Sequence, residues 1–499
     1  DSADGPQPVW VPKVYLANTT LHLSGDGAVM AGGQLQLSAG SLSNAGNLVA
    51  DRTLDIDASR FQHQGGDIRA DSIHVQAASL TLSTNLQDAL RQASMTAGDI
   101  SLSGTDVKLQ GAKLDASRNL SLSAQNSLEI GTARSSHTAS VDVISGSMGN
   151  RTGAGMEEAG ARMAQVSGEW QQAQGSTLNA GGNLSLSAGQ DITLQGSQAK
   201  AGGNTRIEAG GDVKLLADKT TNTTHLTANS RTSSVSNTRQ EDRLLLSTLS
   251  GDQGVALVAG KNLRMEGAQV DSQQGQVGVS AQDVTIKEAR QVVVDQDSEN
   301  KRGGKTKSHR EELTERDSGV GSTLSGKNGV TVIARDNDIA LAGSTLHSEE
   351  GAIALQAKRD VLLNSATDRE SQFREEHSQK KGLLSKSSSH TVQDDRSTLE
   401  QGSLLSGDSV SITAGRDLAV VGSAIAADND VALAAGHNVD IIAATETDTH
   451  YQLEEKKKSG LMSSGGIGFT VGKQSSKHEV YEKGTTQSQS VSSVGSSQG

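Results

Sequence analysis

The sequence predicts an all-β fold: a right-handed parallel β-helix, a solenoid of 19–21-residue rungs with hairpin or short helical insertions between two-rung blocks. Three observations predict it. Short bursts such as "NLSLSAGQDITLQGS" alternate apolar and polar residues, which places the apolar side chains on one face of a strand. The bursts recur at a fixed interval, the signature of a repeat architecture. Aromatic residues make up only 2% of 499 residues, so the interior is built from Leu, Val, Ile and Ala, as a narrow solenoid core demands.

The interval can be read residue by residue. Leu184 aligns with Thr205, Leu186 with Ile207, Ile192 with Val213 and Leu194 with Leu215, each 21 residues on. Leu178 and Ala199 add a third register. Near the start, Leu35, Leu54 and Ile73 are 19 apart, as are Leu42, Phe61 and Leu80. Apolar spacings of 3 and 4, which a helix needs, are missing from these segments. The expected core ladder is Leu184, Leu186, Ile192, Leu194, Ile207, Val213 and Leu215. About thirteen rungs at roughly 4.8 Å give a rod on the order of 60 Å long.

In chain order, residues 1–16 read as a lead-in and 17–133 as the first part of the β-helix. Residues 134–174 are an insertion; Met156, Met163, Val166 and Trp170 fall at spacings 7, 3 and 4, which predicts a short amphipathic helix over 154–172. One more helical turn is expected near Leu86 and Leu90. Residues 175–443 continue the β-helix, interrupted near 217–246, 294–320 and 366–401 by Ser-, Thr-, Lys- and Glu-rich stretches such as "DRESQFREEHSQKKGLL". Blocks begin near Ser94, Ser176, Ser247, Ser322 and Ser403. Residues 444–499 form a last insertion. Alternation at Thr449, Tyr451 and Leu453 and at Ile467, Phe469 and Val471 predicts a β-hairpin arm there. The ending "SSQG" matches the "QGS" that introduces earlier blocks, so an internal piece of a longer protein is expected.

Composition excludes several functions. There are no cysteines, hence no disulfide, zinc-thiolate or iron–sulfur chemistry. No run of 18 apolar residues predicts a membrane-spanning helix. The start "DSADGPQPVW" has neither the basic nor the apolar region of a signal peptide. A net charge of −13 without a basic stripe argues against nucleic acid as partner.

No catalytic residue, cofactor or metal site is expected. Ser, His and Asp all occur, but the twelve His are scattered and no G-x-S-x-G elbow stands between strand and helix. The pairs Glu157–Glu158, Glu349–Glu350 and Asp394–Asp395 sit in insertions or turns, and acidic residues are not expected to stack in successive rungs. "GGD" at Gly65–Asp67 and Gly210–Asp212 lacks the calcium-binding nonapeptide; Asn183/Asn204 and Asp191/Asp212 instead predict hydrogen-bonded turn ladders. "SSGGIGFTVG" lacks the Lys-Ser/Thr ending of a phosphate loop and fits a strand. The candidate membrane or partner contacts are therefore in the insertions: Trp170, Lys456, Lys457, Lys458, Ile467, Phe469 and Val471. The lysine run fits a solvated hairpin end or a contact with anionic lipid or lipopolysaccharide.

"GSTLNAGGNLSLSAGQDITLQGSQAKAGG" and "GSLLSGDSVSITAGRDLAVVGSAIA" resemble the haemagglutinin repeats of filamentous-haemagglutinin-like exoproteins of two-partner secretion, a group that includes effectors of contact-dependent growth inhibition. The opening "QPVWVPKVYL" is similar to the segment preceding the second repeat region of such proteins. The resemblance implies a secreted, cell-surface filament passed through an outer-membrane two-partner transporter. It further implies a repeat region held in the donor periplasm until contact, which then associates with the target-cell outer membrane or a surface receptor and helps pass a C-terminal toxin. An adhesin stalk or glycan-binding filament is the alternative reading; aromatic platforms for sugar stacking are scarce.

Overall fold

The structure is a computed structural model that describes residues 28–86, 91–145, 162–463, 469–487 and 491–498. Its described residues form two sheets, one of 34 strands and one of 10.

The large sheet is the rod. All its strand pairings are parallel, and it winds as a right-handed β-helix with three strand positions per rung. One ladder runs Leu35, Leu54, Ile73, Ile100, Leu120, Leu184, Thr205, Val255, Val277, Val330, Ile353, Val410, Val431. That is thirteen rungs, each in register with the next. A second ladder contains Phe61, Leu80, Val107, Leu128, Ile192, Val213, Leu263 and their successors. A third stacks Leu114, Leu178, Ala199, Leu249 and Val270. Leu184, Leu186, Ile192, Leu194, Ile207, Val213 and Leu215 are all 0–1% exposed. Each fully buried aliphatic side chain contributes about 1.5–3 kcal/mol relative to exposure, so the stack carries the stability of the rod. Thr205 is the polar exception: it is 1% exposed, and its hydroxyl donates to the Ser250 carbonyl at 2.7 Å.

Turns are stacked as well as strands. Asn119 Oδ1 accepts the backbone N–H of Asn183 at 3.0 Å, and Asn183 Oδ1 that of Asn204 at 2.9 Å. Asp191 Oδ1 accepts the N–H of Asp212 at 2.8 Å. A short polar side chain at a corner thus satisfies the backbone donor that the turn frees from the strand ladder.

The second sheet is made of five hairpin arms, and every pairing in it is antiparallel. The arms are Ala133–Ser145 with Arg162–Gln174, Asp218–Asn229 with Ser233–Leu245, Ala289–Arg302 with Thr306–Val320, Ala366–Lys381 with Ser385–Gln401, and Thr445–Ser463 with Phe469–Gln487. They are numbered one to five below.

Three expectations need correction. Residues 162–174 are a strand, not part of an amphipathic helix, because Val166 faces Val141 on one side and Leu226 on the other in a sheet. Residues 154–161 of that expected helix lie outside the described residues, as do 1–27, 87–90 and Ile467. Arm three leaves the rod at Ala289 rather than near 294. Finally, the C-terminal insertion does not run to 499. The chain re-enters the rod, and Ser493–Ser496 pairs in parallel with Ala424–Ala427.

Candidate functional site

The arms begin where a rung ends, and their feet share one construction. In arm one the chain leaves the rod after Gly131 and returns at Ser176. The Ser176 hydroxyl donates to the Gly131 carbonyl at 2.7 Å and accepts the Ala112 N–H at 3.2 Å. The same pair of bonds is made by Ser247 with Leu216 and Ser197, by Ser322 with Lys287 and Ala268, by Ser403 with Asn364 and Ser344, and by Ser492 with Ile442 and Ser423. The departing arm takes the continuing strand away from that carbonyl. That carbonyl keeps a backbone N–H from the preceding rung, as Gly131 does from Gly111 and Asn364 from Gly343, and the serine hydroxyl supplies a second donor in a site where water is excluded: Ser176, Ser247, Ser322 and Ser403 are 0–1% exposed. Each arm is thereby clamped at both feet. Against the feet of arms four and five lie Gly343 and Gly422, with φ of +53° and +54°; a Cβ there would stand 2.6 Å and 2.5 Å from those of Ala366 and Ala444. Both the left-handed backbone and the close approach demand glycine.

Two rungs separate each arm from the next, for example Leu178–Leu194 and Ala199–Leu215 between arms one and two. Two rungs advance the rod by roughly 9.6 Å, and a two-stranded hairpin is roughly 9.6 Å wide. The arms therefore meet edge to edge and fuse. Arm one pairs arm two through Met163–Glu169 and Thr223–Asn229; the last junction pairs Ser385–Ser397 with Asp448–Gly460. Nearer the rod, where the backbone ladders stop, side chains complete the seam. Asn222 Oδ1 accepts the Gln171 N–H at 2.9 Å, Asp242 the Val292 N–H at 3.1 Å, Asp368 the Gly319 N–H at 2.8 Å, and Thr398 the Thr447 N–H at 2.8 Å. Asp242 also takes Thr221 and Lys219. Burial opposes its charged form, but these three donors prevail and hold its carboxyl below the ordinary range.

Beyond the feet, among the described residues, no arm strand packs extensively against a rod strand. Both faces of the arm sheet meet solvent: the described side chains of arms three and four are half-buried or exposed except at Ala289 and Ala366. Cross-strand pairs hold it, among them Leu313 opposite Phe373, Tyr451 opposite Tyr481, and His377 on His390 with ring centroids 5.9 Å apart.

Trp170 sits in arm one, stacked on His137 at 6.5 Å. Lys456, Lys457 and Lys458 are exposed in arm five; Lys456 and Lys457 pair with Glu454 and Glu455. Phe469 and Val471 begin the returning strand of that arm, and Val471 is 79% exposed. The arm sheet thus brings Lys456–Lys458 beside arm four, but leaves Trp170 four hairpins away.

Acidic residues do stack, contrary to expectation. Asp283, Asp338, Asp360 and Asp417 occupy one corner of four successive rungs, each accepting the next residue's N–H at 3.0–3.2 Å. Arg359 grips Asp338 and Arg416 grips Asp360, both in bidentate fashion. The Arg416 guanidinium holds the Asp360 carboxyl below its usual range. A general acid needs the opposite shift, so this row is a structural corner. Among the described residues no three His, Asp or Glu converge as metal ligands would. Sequence reading passed over His63, which is 0% exposed. Its Nε2 donates to the Gly66 carbonyl at 2.9 Å, and its Nδ1 accepts from the Asn44 amide at 3.0 Å. Burial lowers its pKa. A lone histidine in a polar stretch gave no signal of that role.

A parallel β-helical rod, interrupted from Ala133 onward every two rungs by clamped hairpins, defines a class: a solenoid repeat region. Comparison with known proteins specifies it. The hemagglutinin repeat model matches residues 81–172, 165–240, 303–384 and 384–499, and a second haemagglutinin repeat model matches 31–104 and 220–287. The chain belongs to the haemagglutinin-repeat family, as a region of the filamentous-haemagglutinin type. It is 48% identical over 177 residues to the 16S rRNA endonuclease CdiA of Enterobacter cloacae, a match covering 34% of this chain and 5% of that protein. It is 49% identical over 149 residues to a tRNA nuclease CdiA of Escherichia coli, covering 30% and 5%. Over 99% of its length it is 27% identical to the tRNA nuclease CdiA-2 of Burkholderia pseudomallei, covering 14% of that protein. The chain thus spans a small part of the curated relatives it matches. No solved structure matches.

Proposed function

We propose that this chain is a structural and transport repeat region of a contact-dependent growth inhibition exoprotein. In this reading the protein leaves the donor through an outer-membrane two-partner transporter, with the repeat region retained in the periplasm until contact. The region then associates with the target-cell outer membrane and helps a C-terminal toxin segment across. Its role is mechanical; we place any nuclease activity outside this chain, since its match to the nuclease relatives covers only 5–14% of their length. The observation that carries the reading is the two-sheet architecture. Each rung templates the next, so folding can propagate along the chain as it emerges, while the clamped arms present a broad solvent-facing surface clear of the rod.

The test is to mix the purified chain with outer-membrane vesicles of a target-type bacterium. Co-sedimentation and protection of arm segments from protease are expected. A chain that stays in the supernatant and is digested at the same rate with and without vesicles refutes the membrane step.

A further inference from the structure

The arm sheet segregates charge along its length. In arms three to five, the halves nearer the rod (289–300, 309–320, 366–377, 390–401, 445–455 and 477–487) hold eight Lys and Arg against twenty Asp and Glu. The distal parts (301–308, 378–389, 456–463 and 469–476) hold eleven Lys and Arg and no Asp or Glu. Three separate insertions contribute, and the sheet register lines them up. Arg302 faces Lys307, Lys307 faces Gln379, and Ser388 faces Lys457; in the next row Thr306 faces Lys380 and Ser387 faces Lys458. The result is a cationic band about 25 Å across six strands.

The band carries a structural cost. Arg302 lies directly opposite Lys307, and Lys381 directly opposite Lys386; like charges so placed destabilise a sheet. Lys301, Lys456 and Lys457 pair with acids on the rod side, but Arg302, Lys380, Lys381, Lys386, Lys458 and Lys473 have no ion-pair partner among the described residues. The acidic zone does not neutralise them at range: the band extends roughly 17 Å along the strands, beyond the Debye length of about 8 Å at physiological salt. Apolar side chains stand at or beyond the lysines. Leu383 is 94% exposed, Leu384 64% and Val471 79%.

We infer that the distal ends of arms three to five form one composite docking surface for a membrane bearing anionic, phosphate-containing headgroups. The lysines and arginine meet the phosphates while Leu383, Leu384 and Val471 enter the interfacial layer. Apolar tips on a cationic band match an amphiphilic surface. A polynucleotide would instead be met by a series of aromatic platforms on which successive bases stack, whereas Phe469 is the one aromatic residue among the described residues of these distal segments. This inference deepens the membrane association proposed above and rests on it.

The test uses the full 499-residue chain, with phosphatidylcholine vesicles containing or lacking phosphatidylglycerol. The variant carries Lys380→Gln, Lys381→Gln, Lys386→Gln, Lys457→Gln and Lys458→Gln. A control carries the same charge change on the rod: Lys108→Gln, Lys113→Gln, Lys200→Gln, Lys261→Gln and Lys358→Gln. Circular dichroism verifies that both fold. The wild type and the control bind anionic vesicles within twofold of one another, and the arm variant binds about tenfold or more weakly. Leu383→Ser with Leu384→Ser lowers affinity further at high salt, where electrostatics are screened. Equal binding by arm variant and control overturns this surface but leaves membrane association standing. No binding of the wild type to any vesicle, target outer-membrane vesicles included, overturns that reading itself. Tighter, lysine-dependent binding to an oligonucleotide that displaces vesicles overturns the lipid assignment.

Discussion

The rod and the arm sheet share a backbone vocabulary yet obtain their order differently. In the rod, every inward side chain from Leu54 to Val420 on its ladders is shielded, and burial decides the register. A one-residue slip would turn each aliphatic outward. In the arm sheet both faces are wet, so no such penalty operates. Its register is inherited: the rod fixes where each foot stands, the serine clamps hold the feet, and the two-rung spacing delivers the next hairpin at strand distance. A hydrophobic core can thus order polar strands that it never touches.

The largest expected effect attacks the rod's source of order. Leu186→Asp, at a 0% exposed position, places an unpaired carboxylate in the stack and costs about 4 kcal/mol or more. Ser185→Asp, one residue away and facing out, costs about 0.5 kcal/mol or less. Urea denaturation followed by circular dichroism measures both, and equal effects would refute the assignment of faces.

Deleting one rung, residues 177–197, breaks the commensurate spacing while leaving the stack continuous. Arms one and two then stand one strand too close. Their shared ladder, Met163–Glu169 with Thr223–Asn229, loses hydrogen-exchange protection, whereas protection of the rod amides around Val255–Ala259 persists. Retained protection between the arms would show that they order themselves.

Smaller effects follow at the junction of the two regions. Ser403→Ala leaves the Ser344 N–H without its acceptor and the Asn364 carbonyl with only the Gly343 N–H and costs about 1–3 kcal/mol. Ser411→Ala, on the exposed side of the following strand, stays within about 0.5 kcal/mol. Loss of arm-four protection in the first variant alone distinguishes a clamp from a simple corner.

The smallest is a pH effect confined to the rod. His63 has a folded pKa lowered by burial, so its contribution to stability is complete above the unfolded value of about 6.5 and is lost as pH falls below it toward the folded value. Asp360, also lowered, acts further down: its contribution holds above about 3.9 and declines as pH falls through the folded value. Stability measured from pH 7.5 to 5 falls in the wild type and flattens in His63→Gln.

What the sequence determined by itself is the rod. Period-2 bursts at 19–21 residues, closed by Asn, Asp and Gly, specify strand, corner and stacking partner together, because each rung needs only its neighbour in an almost identical segment. Even the serines of the clamps were legible as block starts at Ser176, Ser247, Ser322 and Ser403, although the carbonyls they serve were not. Only the tertiary structure decided the fate of the insertions. The hairpin of arm five was legible from the alternation of Thr449, Tyr451 and Leu453, but with neither face buried the period is weakly enforced elsewhere in the arm strands, and Met163, Val166 and Trp170 mimic a helix while lying in a strand. Their pairing partners belong to other insertions, dozens of residues away, and are chosen by the pitch of the rod. The cationic band on arms three to five exists only once those partners are in place, since its charges are scattered in the chain and contiguous only in the sheet.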